Sequence, residues 1–460
     1  VKEVPVSQRL VVVGGGAAGM SAASAARLAC PAREIVVLES GGHVGYGMCG
    51  IPYYLSGLVP GADALLTRSP SFFREEQHID VRLHSYVTAL DPERRIVRYV
   101  RGGRATHLGY DRIVLASGAM SARPPVAGLD DPRVFGVRTL EDAISLRSLL
   151  DAGLIAKALV VGAGYAGLEM AEALRAQGVA VIQAEQAPTV APSLDPPMAE
   201  LVAEEVRRHG VDLRAGTRLW GIRRAGSELE AEVGDVTVTV DAVIVAAGVR
   251  ARAGIAARAG AVTGPGGGLL VDDRMRSSLP DVYGAGDCIA AYHRVLGRPA
   301  YVPQGPVANR TGRVAGIVAA GGDMRFDGVL GTEMVKVFDL AVARTGLTLT
   351  EARAEGLPAV ATDVLGRSCA EYYPGAHPVT VRLVHERGGR LLGAQLIGGD
   401  GTAKRIDVVA VALQAGFDVA DLMALDLSYA PPFAAVHEPV LSAARAAARV
   451  PAAGAAVLAV

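Results

Sequence analysis

Cysteine is scarce in this sequence. Four cysteines in 460 residues cannot form a disulfide framework, so a reducing, cytoplasmic setting is expected. Excess charge of either sign is also missing. Lys and Arg total 46 against 47 Asp and Glu, so nothing steers the chain toward nucleic acid or an anionic surface. Hydrophobic residues make up 50%, yet every long apolar stretch is broken by Gly, Arg or Asp, and no membrane span is expected. No signal-type apolar segment precedes the first strand. The 56 Gly and 25 Pro fit a loop-rich α/β enzyme, and the length predicts about three domains.

What is present is organised around residues 10–57. A β-branched run (LVVV) meets Gly14-Gly15-Gly16-Ala17-Ala18-Gly19, and an Ala-rich stretch follows without a breaker until Pro31. That pattern predicts strand, tight turn and helix. Gly14 makes the turn, Gly16 lets backbone approach a pyrophosphate, and Gly19 lets helix and strand pack. Ile35–Leu38 predicts the next parallel strand, and Glu39 at its end is placed to accept the hydroxyls of an adenosine ribose. After a short antiparallel meander in residues 78–104, the strand DRIVLASG ends at Ser117-Gly118, against which a cofactor can lie.

A second copy begins near residue 158. Ala158–Val161 enters Gly162-Ala163-Gly164-Tyr165-Ala166-Gly167, a helix follows, and Val179–Ala184 leads to Glu185. Two dinucleotide folds in one chain are a more specific signal than either alone. Glu185, with no Arg close by, favours NADH over NADPH, because a 2′-phosphate would meet an uncompensated carboxylate. Gln183 interrupts an otherwise apolar strand. The segment DAVIVAAG, ending at Gly248, mirrors DRIVLASG. VYGAGD then places Asp287 where a helix N-terminus is expected, either as a flavin-binding carboxylate or as a simple cap. A helix from Ala308 to Ala320 is expected to complete the first fold. From residue 331 the pattern changes to alternating strands and then helices, an α+β segment without a nucleotide motif, suited to an interface.

Cys49 stands in a Gly-rich loop ahead of Gly50-Ile51-Pro52-Tyr53-Tyr54, where a turn entering a helix favours the thiolate. No second cysteine lies at short spacing, so a redox disulfide must form with an exogenous thiol or the sulfur must cycle through a sulfenic acid. Cys30 and Cys288 are expected to be inert, and Cys369 stands three residues before Tyr372.

GGGAAG, CGIPYYLSG, LASG, GAGYAGLEMAEAL, YGAGDC, VKVFDLAVARTGL and EYYPG together resemble the pyridine nucleotide-disulfide oxidoreductase superfamily, in its single-cysteine branch. Within it the chain is similar to the coenzyme A disulfide reductases, with NADH oxidases and NADH peroxidases as relatives. The resemblance implies an α/β architecture of two Rossmann-like domains, for FAD and NAD(P)H, and a C-terminal α+β dimerisation domain. The boundaries expected are 1–150 and 255–325 for FAD, 151–254 for NAD(P)H, and 326–460 for the dimer. It implies a homodimer with shared active sites, FAD and NADH as cofactors, and coenzyme A as substrate or mixed disulfide. Cys49 is then the redox centre, with Tyr372 and Tyr429 as proton donors to the leaving thiolate and Tyr373 and Arg27 at the substrate. Tyr165 is implied as a lid, Glu169 as a carboxamide ligand, and Ala308 as part of the flavin site. No metal site is assigned. The histidine that oxidase and peroxidase members carry in the first glycine motif is Ala17 here, which counts against those activities. Gly45 and Met48 replace a serine and an asparagine of the disulfide reductases. An electron-transfer flavoprotein reductase, and a persulfide or polysulfide reductase, are the alternatives.

Overall fold

The computed structural model describes residues 8–387 and 389–449. They group into two compact units, one of residues up to 122, 136–148 and 248–329, the other of residues 123–135, 149–247 and 330 onward. Against the expected bounds, residues 123–135 group with the second unit, residues 248–254 group with the first, and residues from 330 onward group with the second. Val134–Phe135 leaves the first fold because it pairs with Val243 and Ile244 of the second sheet.

The first unit is built on a parallel sheet in the order Val282–Gly284, Arg112–Leu115, Arg9–Val13 (β1), Glu34–Leu38 (β2), Asp80–Arg82. Strand β1 is central, with Val13 opposite both Leu38 and Leu115, so its apolar residues are covered on both faces. Helix α1 (Ala17–Ala29) lies against Gly305–Ala319, the helix that begins three residues earlier than expected. Two glycines of the latter permit this contact: a Cβ at Gly312 would lie 2.2 Å from the Ala18 carbonyl, and one at Gly316 2.1 Å from that of Ala22. The expected meander is present but shifted along the chain: Ser85–Asp91, Ile96–Arg101 and Arg104–Gly109 pair antiparallel, whereas Asp80–Arg82, expected within it, joins the parallel sheet.

The second unit repeats the topology. Its parallel sheet runs Asp212–Ala215, Ala180–Glu185, Lys157–Val161, Ala242–Val245, Val134–Phe135. We call Lys157–Val161 β3, the helix Tyr165–Ala176 α3 and Ala180–Glu185 β4. A separate five-stranded antiparallel sheet follows, ordered Glu333–Val337, Leu340–Gly346, Leu391–Gly398, Pro378–Glu386, Ala359–Arg367. Helices Ile406–Ala415, Val419–Met423 and Pro439–Ala447 complete it, while the short helix Leu349–Ala354 interrupts the strands, so the expected order of strands first and helices last holds only in part. Among the described residues, no helix is long and apolar enough to cross a membrane.

Candidate active site

The first glycine loop shows why each position is glycine. Gly14 has φ +102°, and a Cβ there would stand 2.2 Å from the Ala116 carbonyl. A Cβ at Gly19 would lie 1.9 Å from Gly14 O, which fixes how closely α1 can approach the strand end. Gly16 is different. Nothing lies within 4 Å of where its Cβ would be, and as N-cap of α1 it offers no side-chain acceptor. The helix's first amides therefore face an open cradle, suited to a pyrophosphate. Glu39 flanks it: Oε2 accepts from Gly15 N and Oε1 from Gly41 N, each at 2.6 Å. An ionised carboxylate so held keeps lone pairs for ribose hydroxyls. These features fit FAD.

Other expected flavin contacts lie in the same unit. Ser117 donates its hydroxyl to Arg252 O at 2.7 Å. Gly118 and Gly248, both with positive φ, bracket an antiparallel pairing of Ala119–Ser121 with Val249–Ala251. Asp287 corrects an expectation. It sits in a single 3-10 turn, Gly286–Cys288, that leads into the strand Ile289–His293, and no α-helix starts there. Burial pushes its carboxyl pKa up, and Arg138 at 3.5 Å pulls it partly back. Arg138 is a charged neighbour that sequence reading missed, because 149 positions separate the pair. Ala308 is buried in the first turn of Gly305–Ala319, next to Gly286.

Cys49 is exposed. It occupies the 3-10 turn Met48–Gly50, which runs directly into helix α2 (Ile51–Leu55), the turn-into-helix setting expected. The loop leading to it is anchored by Glu141, whose Oε1 accepts from Gly42 N at 3.2 Å and meets His43 Nδ1 at 2.9 Å. The remaining cysteines differ in kind. Cys288 is buried and donates to Leu115 O and Ala285 O, each at 3.2 Å, with burial raising its pKa. Cys30 closes α1, and Cys369 is buried.

Arg27 does a local job that its sequence position did not reveal. Its guanidinium donates to the carbonyls of Gln77, Pro31, Arg33 and His78 at 2.6–2.8 Å. That satisfies backbone beyond the end of α1, and in this arrangement the side chain is not presented to a substrate phosphate.

In the second unit, Gly162 (φ +105°) and Gly167 repeat the roles of Gly14 and Gly19, with a Cβ at Gly167 falling 2.2 Å from Gly162 O. Gly164 again has nothing within 4 Å and caps α3 without a side chain. Glu185 repeats Glu39, accepting from Ala163 N at 2.7 Å and Ala187 N at 2.8 Å. This loop fits a pyridine nucleotide. Tyr165 opens α3, but its hydroxyl is turned inward beside Glu333, and burial raises its pKa. Acting as a lid requires the ring to rotate out. Glu169 follows one turn later, half-buried.

Tyr372, Tyr373 and Tyr429 are exposed. A hydrogen bond between Tyr429 and Tyr372 raises the Tyr429 pKa, so two of the three expected substrate tyrosines are brought together. Phe433 and Val436 are exposed in the same unit.

Residues 8–312 match the family model described as pyridine nucleotide-disulphide oxidoreductase, and residues 332–440 match its dimerisation domain. The chain belongs to this family. It is an FAD-dependent NAD(P)H oxidoreductase. Among solved structures it is similar to a NAD-dependent persulfide reductase from A. fulgidus, at 37% identity and TM-score 0.93, over 96% of this chain and 83% of that one. A reduced CoADR-RHD from Bacillus anthracis is 32% identical with TM-score 0.93, over 97% and 81%. Among curated relatives, an NADH oxidase of Methanocaldococcus jannaschii is 33% identical over 95% of this chain and 98% of its own. An NAD(P)H sulfur oxidoreductase (CoA-dependent) of Pyrococcus abyssi is 34% identical over 96% and 98%.

Proposed function

We propose that the protein uses NADH to reduce the disulfide of a coenzyme A-type thiol through a mixed disulfide on Cys49. One observation carries this reading: Cys49 is an exposed thiol at a helix entry, in the same unit as the FAD cradle. FAD, when bound, supplies the two-electron relay between nicotinamide and sulfur. The Cys49 thiolate attacks one substrate sulfur, the first thiol leaves with a proton, and Cys49 is left in a mixed disulfide. Two electrons and a proton, drawn from NADH, then release the second thiol and restore Cys49. The overall balance is disulfide, NADH and one proton giving two thiols and NAD+. The helix entry favours the thiolate. Tyr372 and Tyr429 are proposed as the phenols that protonate a departing thiolate, the pair acting across a homodimer. The exposed aromatics at Tyr373 and Phe433 support such an interface.

With Arg27 engaged, a different cation is available for substrate phosphates. A groove of about 540 Å³ lies between α1 and Gly305–Ala319, lined by Ser21, Ala25, Leu28, Asn309, Arg313 and Ile317. Arg313 is its exposed cation.

A second reading, reduction of a coenzyme A persulfide or a polysulfide, is favoured by the persulfide reductase likeness. NADH oxidase activity is disfavoured by Ala17, at the exposed first residue of α1, where no acid–base group is present. Anaerobic NADH turnover against coenzyme A disulfide, coenzyme A persulfide, polysulfide and peroxide, with oxygen tested separately, decides among them. The proposal expects a coenzyme A-linked sulfur acceptor to give the highest kcat/KM. Oxygen or peroxide exceeding every sulfur acceptor would overturn it.

A further inference from the structure

Strand β4 carries a residue that its packing does not explain. Val181, Ile182 and Ala184 are buried and apolar, while Gln183 between them is 0% exposed. Its Nε2 donates to the Gly162 carbonyl at 3.1 Å. Its Oε1 is buried with no hydrogen-bond partner. Turning the amide over would face two oxygens against each other, so the donor must point at Gly162. A buried polar group left half satisfied costs stability, and a valine would fill the strand without that cost.

The molecule contains its own control. Gln183 lies opposite Val160, two residues before Gly162. In the first fold, the residue opposite Val12, two before Gly14, is Val37. The loops are otherwise alike: Gly14 N donates to Leu38 O at 2.8 Å, and Gly162 N to Ala184 O at 2.7 Å. Gly162 O is also the atom nearest to a Cβ placed at Gly167, and the Gln183 amide lies 3.3 Å from that same point. The side chain therefore reaches the carbonyl that sets where α3 begins.

We propose that Gln183 is a positioning residue for the pyridine-nucleotide loop, fixing the Gly162 carbonyl, and through it the start of α3, before the nucleotide arrives. This rests on reading the second fold as the NADH site. The asymmetry suits the two cofactors. The loop built with Val37 holds a resident flavin, whereas the loop with Gln183 must release and recapture its nucleotide at every turnover. A loop already in its bound conformation loses less entropy on binding.

The test uses Gln183→Val, which copies the first fold, and Gln183→Met, which keeps side-chain volume without the donor. Anaerobic single-turnover flavin reduction at varied NADH gives an apparent Kd and a limiting rate, with FAD content and thermal midpoint measured alongside. The expected result is an apparent Kd for NADH raised about fivefold to tenfold in both variants. The limiting rate should stay within about twofold and FAD content should be unchanged. Both variants binding NADH within about twofold of the parent, or losing only the limiting rate, would overturn the inference. A parent protein that NADH fails to reduce would instead overturn the assignment of the second fold.

Discussion

At the residue scale, the three glycines of one loop answer to different neighbours, and single methyl groups separate their roles. Gly16 has φ −74° and ψ −168°, an extended conformation open to any residue. With nothing within 4 Å of its Cβ position, Gly16→Ala should leave the stability of the FAD-free protein within about 0.5 kcal/mol. It should weaken FAD binding by about tenfold or more, which is ~1.4 kcal/mol, because the methyl stands where the pyrophosphate approaches. Gly19→Ala should do the reverse. Its methyl would collide with Gly14 O, costing ~1–3 kcal/mol of stability. Thermal denaturation and FAD titration of both variants check this, and equal effects of the two substitutions would contradict the separation of roles. Both glycine loops, the acids Glu39 and Glu185 that follow them and the Cys49 turn were legible in the sequence, because each is written in contiguous residues.

At the scale of elements, the second unit depends on a contact that no local pattern announces. Asp195 precedes the helix Pro196–Arg208 and is buried. Its carboxylate accepts from Leu349 N and Thr350 N, each at 3.0 Å, from Thr350 Oγ1 at 2.8 Å and from Gln395 Nε2 at 2.6 Å. Burial pushes the carboxyl upward, but these hydrogen bonds outweigh it and hold the pKa below its usual value. A carboxylate depressed in the folded state contributes stability above its unfolded pKa and loses it as pH falls through the folded one. Asp195→Ala should therefore cost about 2–4 kcal/mol near neutral pH. The gap between variant and parent in urea denaturation should narrow as pH drops below about 4. A gap that stays constant across that range would contradict the depressed carboxylate. The partners of Asp195 lie more than 150 positions away, and those of Arg27, Gln183 and Asp287 were equally invisible in the sequence. Gly-x-Gly-Asp resembles a helix start, yet Gly286–Cys288 continues into a strand. Arg27 reads as a surface cation until the backbone carbonyls beyond α1 are placed around it.

At the scale of the whole molecule, two similar folds carry unlike duties. Each has a central strand feeding a glycine loop, an acid at the end of the next strand and a helix with an uncapped N-terminus. The cysteine belongs to the first fold alone, so the proposed chemistry divides cleanly. Nucleotide binding is built from backbone, Glu39 and Glu185, and sulfur exchange from Cys49. The measurement that tests this most directly is stopped-flow reduction of Cys49→Ser by NADH, followed by anaerobic mixing with coenzyme A disulfide. The account predicts normal FAD content, flavin reduction by NADH near the parent rate, and no thiol release above background. A Cys49→Ser protein that still reduced coenzyme A disulfide at near the parent rate would contradict it.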